Sequence, residues 1–515
     1  MKKLMFLVSL FLLHFTFYIS HAHTWKELMD SSNVYMEKQD FEIALKWAKL
    51  ALPQEERENG QNDTNYAFSL GKIFEIFFYQ RKLDSAILYG VIHLNICRNI
   101  YKTDHPYLVN GINNLACCYK TKGNYKKAEP LFIEALELSR RIFKSDNLDF
   151  VIIINDIANF FVAIGDYKKA EPLYLEVLEI SRRIFKTDNP DLAGIINNLA
   201  AFYNDRGDYM NAEPLLIEAL DMSRRIYKKD HPNLAVGISN MAVFYNDRGN
   251  YKKAEPLYIE ALEMRRRLFK TDHPELAASI NNVAGFYNEK GNYKKAEPLF
   301  IESIEMYKRL FNTDHIDLAV SISNMAVFYD AQGDSKKAEP FFIEAFEMCG
   351  RIFKTDHPNL ANSISNMAGF YNDKGNYQKA EQLYIESLEM RIRLFKTEHP
   401  DVAQSMINMA GLYFKYGDYT KAEYFYINAL DILFKIVNNY FSSISEIEKE
   451  LFWFKYKGNF EAFASFAIKR SYENSQILKI LYDNCLLIKG ILLNSTLKVK
   501  NNILNSGNNE LIKKF

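Results

Sequence analysis

Residues 193–232 read AGIINNLAAFYNDRGDYMNAEPLLIEALDMSRRIYKKDHP. Apolar residues recur at helical spacing as far as Tyr203, and Gly207 then provides a residue that can end a helix in the left-handed conformation. Asp208 follows as an N-cap, and a second apolar pattern containing Ala212 begins directly after it. The stretch therefore predicts a helix, a tight turn and a second helix.

This unit recurs along the chain at a fixed spacing of 42 residues (86 − 44 = 42), with no insertion between copies. The alanine of the second helix marks ten copies: Ala44, Ala86, Ala128, Ala170, Ala212, Ala254, Ala296, Ala338, Ala380 and Ala422. A fixed period of this length indicates a solenoid, and a recurring small residue indicates closely approaching backbones. We expect an all-α fold, a right-handed superhelical solenoid of about ten helix-turn-helix repeats plus a C-terminal helical segment.

The turn and the first helix follow the same period. The turn glycine recurs in eight copies: Gly123, Gly165, Gly207, Gly249, Gly291, Gly333, Gly375 and Gly417. A small residue also recurs on the first helix: Ala116, Ala158, Ala200, Ala242, Ala284, Ala326, Ala368 and Ala410. The two N-terminal copies carry Gln39 and Arg81 in place of the glycine, which is typical of capping repeats at the end of an array.

Two rows of polar residues accompany the repeat. An acid precedes an arginine by four residues on the second helix, which favours ion pairs on a solvated face: Glu137 with Arg141, Glu179 with Arg183, Asp221 with Arg225, and Glu263 with Arg267. A histidine precedes the first helix in six copies: His105, His231, His273, His315, His357 and His399. We interpret these histidines as turn structure, because neighbouring copies lie too far apart to share one metal ion.

The composition argues against several functions. The 64 basic and 64 acidic residues balance, so the basic excess typical of nucleic-acid binding is missing. The five cysteines lack the spacing of a metal or redox motif, and we predict that they pack as small apolar residues. The sequence has no phosphate loop, catalytic triad pattern or zinc spacing. We therefore expect no enzyme activity, no cofactor and no metal.

Residues 1–22 differ from the repeats. A basic start at Lys2 and Lys3, an apolar run from Leu4 to Ile19 and the ending Ser20-His21-Ala22 predict a signal peptide. The alternative is an uncleaved membrane anchor, although the run is shorter than the roughly 20 residues that span a bilayer comfortably. The prediction is an exported protein, periplasmic or secreted, with no other membrane contact.

The repeat resembles the tetratricopeptide repeat. The signature residues in one copy are Leu199, Ala200, Tyr203, Gly207, Tyr209, Ala212, Leu216 and Ala219. The 42-residue length, Asn-Asn-Leu-Ala at 197–200 and Lys-Ala-Glu-Pro-Leu at 127–131 resemble the kinesin-light-chain subtype. The resemblance covers residues 25 to about 437, with degenerate repeats over 23–110 and a clear array over 111–437.

Residues 438–515 lack the turn glycine and the alanine row. YDNCLLIKGILL at 482–493 and NSGNNEL at 505–511 resemble the region that joins repeats to the protease in CHAT proteins, which are caspase-like cysteine peptidases. The resemblance implies that the peptidase itself would lie beyond residue 515. Ala464 falls 42 residues after Ala422, but Gly458 is out of phase, so we interpret that coincidence as chance.

The resemblance implies that the groove lined by first helices binds an extended peptide or protein partner. The family uses an asparagine there, because an amide both donates and accepts hydrogen bonds. The candidate groove residues are Asn114, Asn198, Asn240, Asn282, Asn324, Asn366 and Asn408, with the acids Asp205, Asp247, Glu289 and Asp373 nearby. Asp156 stands in the same row. The alternative is that these asparagines bond within the helix array.

The leading prediction is a non-enzymatic protein-interaction scaffold. Because the groove positions are acidic, we predict a neutral or basic peptide as its ligand. A second hypothesis is the sensor and regulatory half of a truncated CHAT-type peptidase. A third is a cargo adaptor like the kinesin light chain, which the signal peptide argues against. Partner identity and oligomeric state stay open.

Overall fold

The computed structural model describes residues 24–38, 40–102, 104–143, 146–395, 398–441 and 446–486, and only the backbone of 437–441 and 446–455. The chain divides into two compact units, Met1–Phe161 with Lys168–Leu173, and Val162–Tyr167 with Tyr174–Phe515. Within the described ranges every regular element is a helix. The predicted all-α repeat solenoid is confirmed.

Helix pairs follow one another along the chain. The first six helices are α1 (Trp25–Glu37), α2 (Phe41–Glu58), α3 (Thr64–Tyr79), α4 (Leu83–Ile100), α5 (Pro106–Thr121) and α6 (Tyr125–Ile142). The next eight are α7 (Leu148–Ala163), α8 (Tyr167–Ile184), α9 (Pro190–Arg206), α10 (Tyr209–Ile226), α11 (Pro232–Asp247), α12 (Tyr251–Leu268), α13 (Pro274–Glu289) and α14 (Tyr293–Leu310). The last seven are α15 (Ile316–Ala331), α16 (Ser335–Ile352), α17 (Pro358–Asp373), α18 (Tyr377–Leu394), α19 (Pro400–Tyr416), α20 (Tyr419–Phe441) and α21 (Glu446–Arg470).

The alanine rows lie at the contact between the two helices of each pair. All ten second-helix alanines, from Ala44 to Ala422, have 0% of their surface exposed, and so do the eight first-helix alanines. A helix surface without larger side chains lets the partner helix approach closely, and the interior is close-packed there. The prediction that the rows mark packing positions is confirmed.

Each turn has the predicted geometry. The eight turn glycines have φ between 66° and 91°, a conformation that a side chain disfavours. In the degenerate second copy Arg81 adopts φ 58°, so this turn persists without glycine. Asn250 is one of seven described Asn or Asp N-caps that accept a hydrogen bond from the third residue of the following second helix. The glycine substitute Gln39 lies outside the described residues.

The prediction for the outer arginines is mostly wrong. Of the four predicted pairs, Glu179 and Arg183 form an ion pair of 2.6 Å. The other three arginines make a bidentate pair with an aspartate 37 residues earlier, as do three further arginines. The pairs are Arg141–Asp104, Arg225–Asp188, Arg267–Asp230, Arg309–Asp272, Arg351–Asp314 and Arg393–Asp356, with Nε to Oδ2 distances of 2.6–2.8 Å.

The cause is geometric, because a planar guanidinium fits both oxygens of a carboxylate. The hydrogen bond from Arg141 also lowers the pKa of Asp104. Each such pair ties the end of a second helix to the loop before the first helix of its own copy. These contacts therefore connect two elements of a repeat and do not run along the surface of one helix.

Helix α21 packs on the last repeat of the second unit. Phe463 and Phe466 pack on Tyr426 of α20, with ring centroids 6.0 and 5.1 Å apart. Arg470 Nε donates to Glu423 Oε2 at 2.9 Å. Helix α21 runs without interruption through Ala464, which is half-buried, so this alanine does not continue the buried row.

The same helix reaches much earlier repeats, because α21 packs against α10 as well as α20. Burial raises the pKa of Tyr456 on α21, and neighbouring Tyr167, Asp401 and Tyr209 contribute to the shift. Arg206, at the turn before α10, is only 3% exposed. Arg248, at the equivalent position of the next copy, is exposed, so the two copies differ in the burial of this arginine.

Two further predictions concern other parts of the chain. Cys97, Cys118 and Cys349 are buried as expected, whereas Cys485 is exposed. The predicted signal peptide, residues 1–22, lies outside the described residues. Among the helices that the structure describes, none combines the length and apolarity needed to cross a membrane.

Enlarging a ladder alanine should strain the stack. In Ala254→Leu the added atoms have no space, so we expect a loss of about 1–3 kcal/mol in the free energy of unfolding. Lys252→Leu, at an exposed position of the same helix, is the matched control and should leave the thermal melt nearly unchanged. Equal melting temperatures for both variants would contradict the close-packing argument.

Candidate functional site

The first helices form the inner side of the second unit. First helices of successive copies pack directly on one another: α9 on α11, α13 on α15, α15 on α17, and α17 on α19. No successive second helices in the described part of this unit pack to a comparable extent. In a curved stack the elements on the inside are the closer ones. The face carrying the predicted asparagines is therefore the concave one, which we call the groove face.

The asparagine row takes part in bonds between repeats. Asn324 Nδ2 donates to Asn281 Oδ1 at 3.4 Å, and Asn366 Nδ2 donates to Ser323 Oγ at 3.1 Å. Asn408 Nδ2 likewise donates to Ser365 Oγ at 3.4 Å. Each bond joins residues 43 apart, so it crosses from one copy to the next.

The aspartate of the same row confirms the pattern, because Asp156 Oδ2 accepts from Asn113 Nδ2 at 2.8 Å. The alternative reading of the row, hydrogen bonds inside the array, therefore holds for three asparagines. Asn114, Asn282 and Asn366 are exposed and the other four are half-buried. Their use by a ligand stays a prediction.

The acidic row lies two helical turns further along the same helices. Asp247 Oδ2 accepts from Asn204 Nδ2 at 2.8 Å, and Glu289 Oε2 accepts from Asn246 Nδ2 at 2.7 Å. These bonds fix the carboxylates and leave them charged, since an amide donor does not neutralise them. Asp205, Asp247, Glu289 and Asp373 are all exposed.

One basic residue in this row was not predicted from the sequence. Lys415 stands at the position of Asp373 in the next copy, and its Nζ lies 2.7 Å from Asp373 Oδ1. The acid of the last copies is therefore paired with a lysine of the same row, and the acids of the earlier copies, Asp205, Asp247 and Glu289, lie exposed on α9, α11 and α13. Counting 42 residues on from Asp373 in the sequence would have identified Lys415.

Exposed apolar side chains beside the asparagine row were also missed. Val236 and Val320 are 41% and 42% exposed, although a valine on a helix usually faces a core. They lie four residues before Asn240 and Asn324, on the same side of their helices. The groove face therefore combines apolar contacts with hydrogen-bond acceptors.

The lysines at the start of the second helices are held away from this face. Lys253 Nζ lies 4.6 Å from the centroid of the Tyr245 ring, and the Tyr245 hydroxyl donates to Glu213 Oε1 at 3.1 Å. The same lysine–tyrosine contact occurs at Lys295, Lys337, Lys379 and Lys421. Each of these lysines therefore has an aromatic partner on the first helix of its own copy.

The six histidines before the first helices act as N-caps. Each Nδ1 accepts the backbone N–H two residues later, at 3.1–3.3 Å. Each ring also stacks on the aromatic residue four positions earlier, with centroids 3.6–3.9 Å apart. Their interpretation as turn structure is confirmed. The described residues contain no group of three or more side chains that could hold a metal ion.

Family comparison identifies the repeat. Two models described as tetratricopeptide repeats match residues 110–149, 152–191, 192–233, 234–275, 275–351 and 359–433. These ranges cover more than half of the chain, which therefore belongs to the tetratricopeptide-repeat family and is a protein-interaction scaffold. No curated protein matches the chain. The division into residues 23–110, 111–437 and 438–515, and the resemblance to CHAT proteins, stay predictions.

Three solved structures are similar to this chain, and the first of them agrees on the fold. A Rap protein in complex with Competence and Sporulation Factor is 14% identical, covers 73% of this chain and 99% of its own, and has a TM-score of 0.50. BtubC (BKLC) from P. vanneervenii is 24% identical over 44% of this chain and 92% of its own, at 0.39. The repeats of a putative kinesin light chain from P. anserina are 19% identical over 41% and 100%, at 0.35.

One histidine cap gives a pH prediction. Burial lowers the pKa of His399 to about 4; Asp401 opposes the shift and Arg391 adds to it. Folding therefore favours the neutral ring, whose contribution is complete above the ordinary pKa of 6.5 and is lost as the pH falls towards 4. We expect the wild type to lose on the order of 1–2 kcal/mol through this group by about pH 5.

The matched variant is His399→Asn, because Asn189 already caps α9 through Oδ1, 2.7 Å from the Asp191 backbone nitrogen. Chemical denaturation at about pH 7 and pH 5 measures both proteins, and the variant should show the smaller pH dependence. Equal pH dependence would show that His399 does not titrate in this window.

Proposed function

We propose that the groove face of the second unit binds an extended peptide that is neutral or basic and rich in hydrogen-bond donors. The observation that carries the proposal is the acidic patch of Asp205, Asp247 and Glu289. These carboxylates are exposed and share one register position on three successive first helices. A charged acceptor forms stronger hydrogen bonds than a neutral one, so cationic side chains and peptide N–H groups suit this surface.

The hydrogen bonds of the asparagine row support the same polarity. Asn324 and Asn366 donate their amide N–H groups to the preceding repeat. Each amide thereby keeps its Oδ1 atom as an acceptor for a ligand. Val236 and Val320 add exposed apolar surface beside the asparagine row. A peptide with alternating donors and apolar side chains therefore matches the groove better than an acidic peptide does.

The comparison with solved structures is consistent with ligand binding by this fold. The Rap protein that covers 73% of this chain was solved in complex with Competence and Sporulation Factor. At 14% identity this similarity carries no residue across to the present chain. The proposal therefore depends on the residues of the groove face.

Neutralising the patch tests the proposal. In Asp247→Asn/Glu289→Gln each new amide oxygen can still accept from Asn204 or Asn246, so the stack is retained. We expect a basic peptide library to bind the wild type more tightly than an acidic library, and the variant to lose most of that preference. Fluorescence anisotropy at about 0.05 and 0.2 M salt measures both, because screening weakens exposed charge pairs.

Two controls make the outcome decisive. Glu305→Gln removes an exposed carboxylate from the second helix α14 and should leave the preference unchanged. Asn240→Ala/Asn282→Ala should weaken neutral and basic peptides alike, because it removes acceptors without changing charge. Tighter binding of acidic peptides by the wild type would overturn the proposed preference.

We also propose that the protein is exported through residues 1–22. The basic start, short apolar run and small-residue ending support cleavage after Ala22. Amino-terminal sequencing of the expressed protein should find a chain beginning at His23. A chain that keeps residues 1–22 in the membrane fraction would favour the anchor instead.

A further inference from the structure

A cavity of about 730 Å³ lies within the first unit, on the side formed by its first helices. Trp25 of α1, Phe68 of α3 and Tyr107 at the start of α5 line it, and His93 and Tyr101 contribute from α4 and the residue after it. Its volume falls in the range of about 300–1,000 Å³ that is typical of sites for whole small ligands.

The lining departs from the repeat at several positions. The register position of Tyr107 is polar in every later copy: Asp149, Asp191, Asn233, Glu275, Asp317, Asn359 and Asp401. The position of His93 is small elsewhere: Ala135, Val177, Ala219, Ala261, Ser303, Ala345, Ser387 and Ala429. Tyr107 and His93 thus meet at one cavity, beside Gly71, whose position is asparagine or serine in seven of the eight later copies.

The glycine makes room for the histidine. A Cβ at Gly71 would lie 3.2 Å from His93 Nε2, and one at Gly111 would lie 3.2 Å from His93 Cε1. A glycine inside a helix costs about 1 kcal/mol relative to alanine. Two such glycines beside one ring indicate that the neighbouring helices are adapted to hold the His93 side chain at this position.

The walls of the cavity are flat and fixed. Tyr101, His105 and Tyr107 form a stack in which neighbouring rings are tilted by 9° and 13°. The His105 ring is also held by the backbone N–H of Tyr107, at 3.2 Å. Flat aromatic surfaces that are already ordered bind planar groups with little loss of side-chain freedom.

Trp25 is held in the same way. Its indole Nε1–H donates to Ser69 Oγ at 2.8 Å, and Phe68 meets its ring edge-on with centroids 6.0 Å apart. The ring faces are therefore oriented before any ligand arrives.

The cavity carries no net charge. Burial lowers the pKa of His93 to about 4, so this ring is neutral near pH 7. Lys72 and Glu75 lie in the lining and neutralise each other in an ion pair of 2.6 Å. The side-chain amides of Asn65, Asn110 and Asn114 supply donors and acceptors at the cavity.

We propose that this cavity binds a small, neutral, planar heteroaromatic molecule as a whole ligand. The flat walls recognise the ring system, and the asparagine amides bond to its polar edge. The cavity volume exceeds what a single aromatic side chain requires, which favours a free molecule over a residue of a peptide. The proposal is independent of the peptide groove, because every lining residue belongs to the first unit.

Ligand-observed NMR and calorimetry on the full chain test the proposal. The probes are lumichrome, indole-3-carboxamide, cyclohexanecarboxamide as the non-planar match, and N-acetyl-L-tryptophanamide as the peptide-like arm. We expect the two planar compounds to bind at least about tenfold more tightly than cyclohexanecarboxamide, a difference of about 1.4 kcal/mol. N-acetyl-L-tryptophanamide should bind more weakly than lumichrome.

The matched variant is Tyr107→Asn, which installs the residue found at this position in Asn233 and Asn359. It should weaken lumichrome about tenfold with little change in melting temperature, whereas Asp191→Asn at the same register should change nothing. Equal binding of cyclohexanecarboxamide, or unchanged binding by Tyr107→Asn, would overturn the proposal. Tightest binding of N-acetyl-L-tryptophanamide would replace the small molecule by a peptide residue. The Asp247→Asn/Glu289→Gln variant should bind lumichrome normally, so the two sites can fail separately.

Discussion

The close approach of the two helices in each repeat is the constraint on which the remaining structure depends. Alanines stand on both sides of this contact, and all eighteen are fully buried. Because no larger side chain separates the helices, each pair has nearly the same geometry, and the next pair can stack in the same way. The sequence offsets of the recurring bonds are constant because of that regularity. The offset is 43 residues between copies, as from Asn324 to Asn281, and 37 residues within a copy, as from Arg309 to Asp272.

The same regularity decides what the groove face can offer. Bonds between repeats use the amide N–H groups of the asparagine row and the amides that support Asp247 and Glu289. One N–H group of each of these amides is therefore used by the stack, whereas the carboxylates of Asp247 and Glu289 are exposed on the groove face. The lysines that could have balanced this charge lie over tyrosine rings beside the turns, as Lys253 lies over Tyr245. The polarity of the groove is thus a consequence of how the solenoid is held together.

Function is most visible where the repeat pattern is broken. Tyr107, His93 and Gly71 each replace a residue type that the later copies share, and together they line one cavity in the first unit. At the other end of the chain, α21 is longer than the helices of the repeats and contacts both α20 and α10. A regular solenoid supplies the scaffold, and these departures give individual copies their own surfaces.

The fold could be predicted from the sequence, because periodicity and turn chemistry are local. Ala254, Gly249 and Asn250 each report their structural role through spacing alone, and even Arg81 could be placed in a turn by register. The hydrogen-bond or ion-pair partner of each polar side chain could be identified only from the folded structure. Arg141 has an acid four residues away and another 37 residues away in the sequence, and the bidentate geometry of the second one prevails. Arg206 and Arg248 have the same sequence context, yet only Arg206 is buried, where α21 packs on α10. Long-range packing of this kind leaves no local signal in the chain.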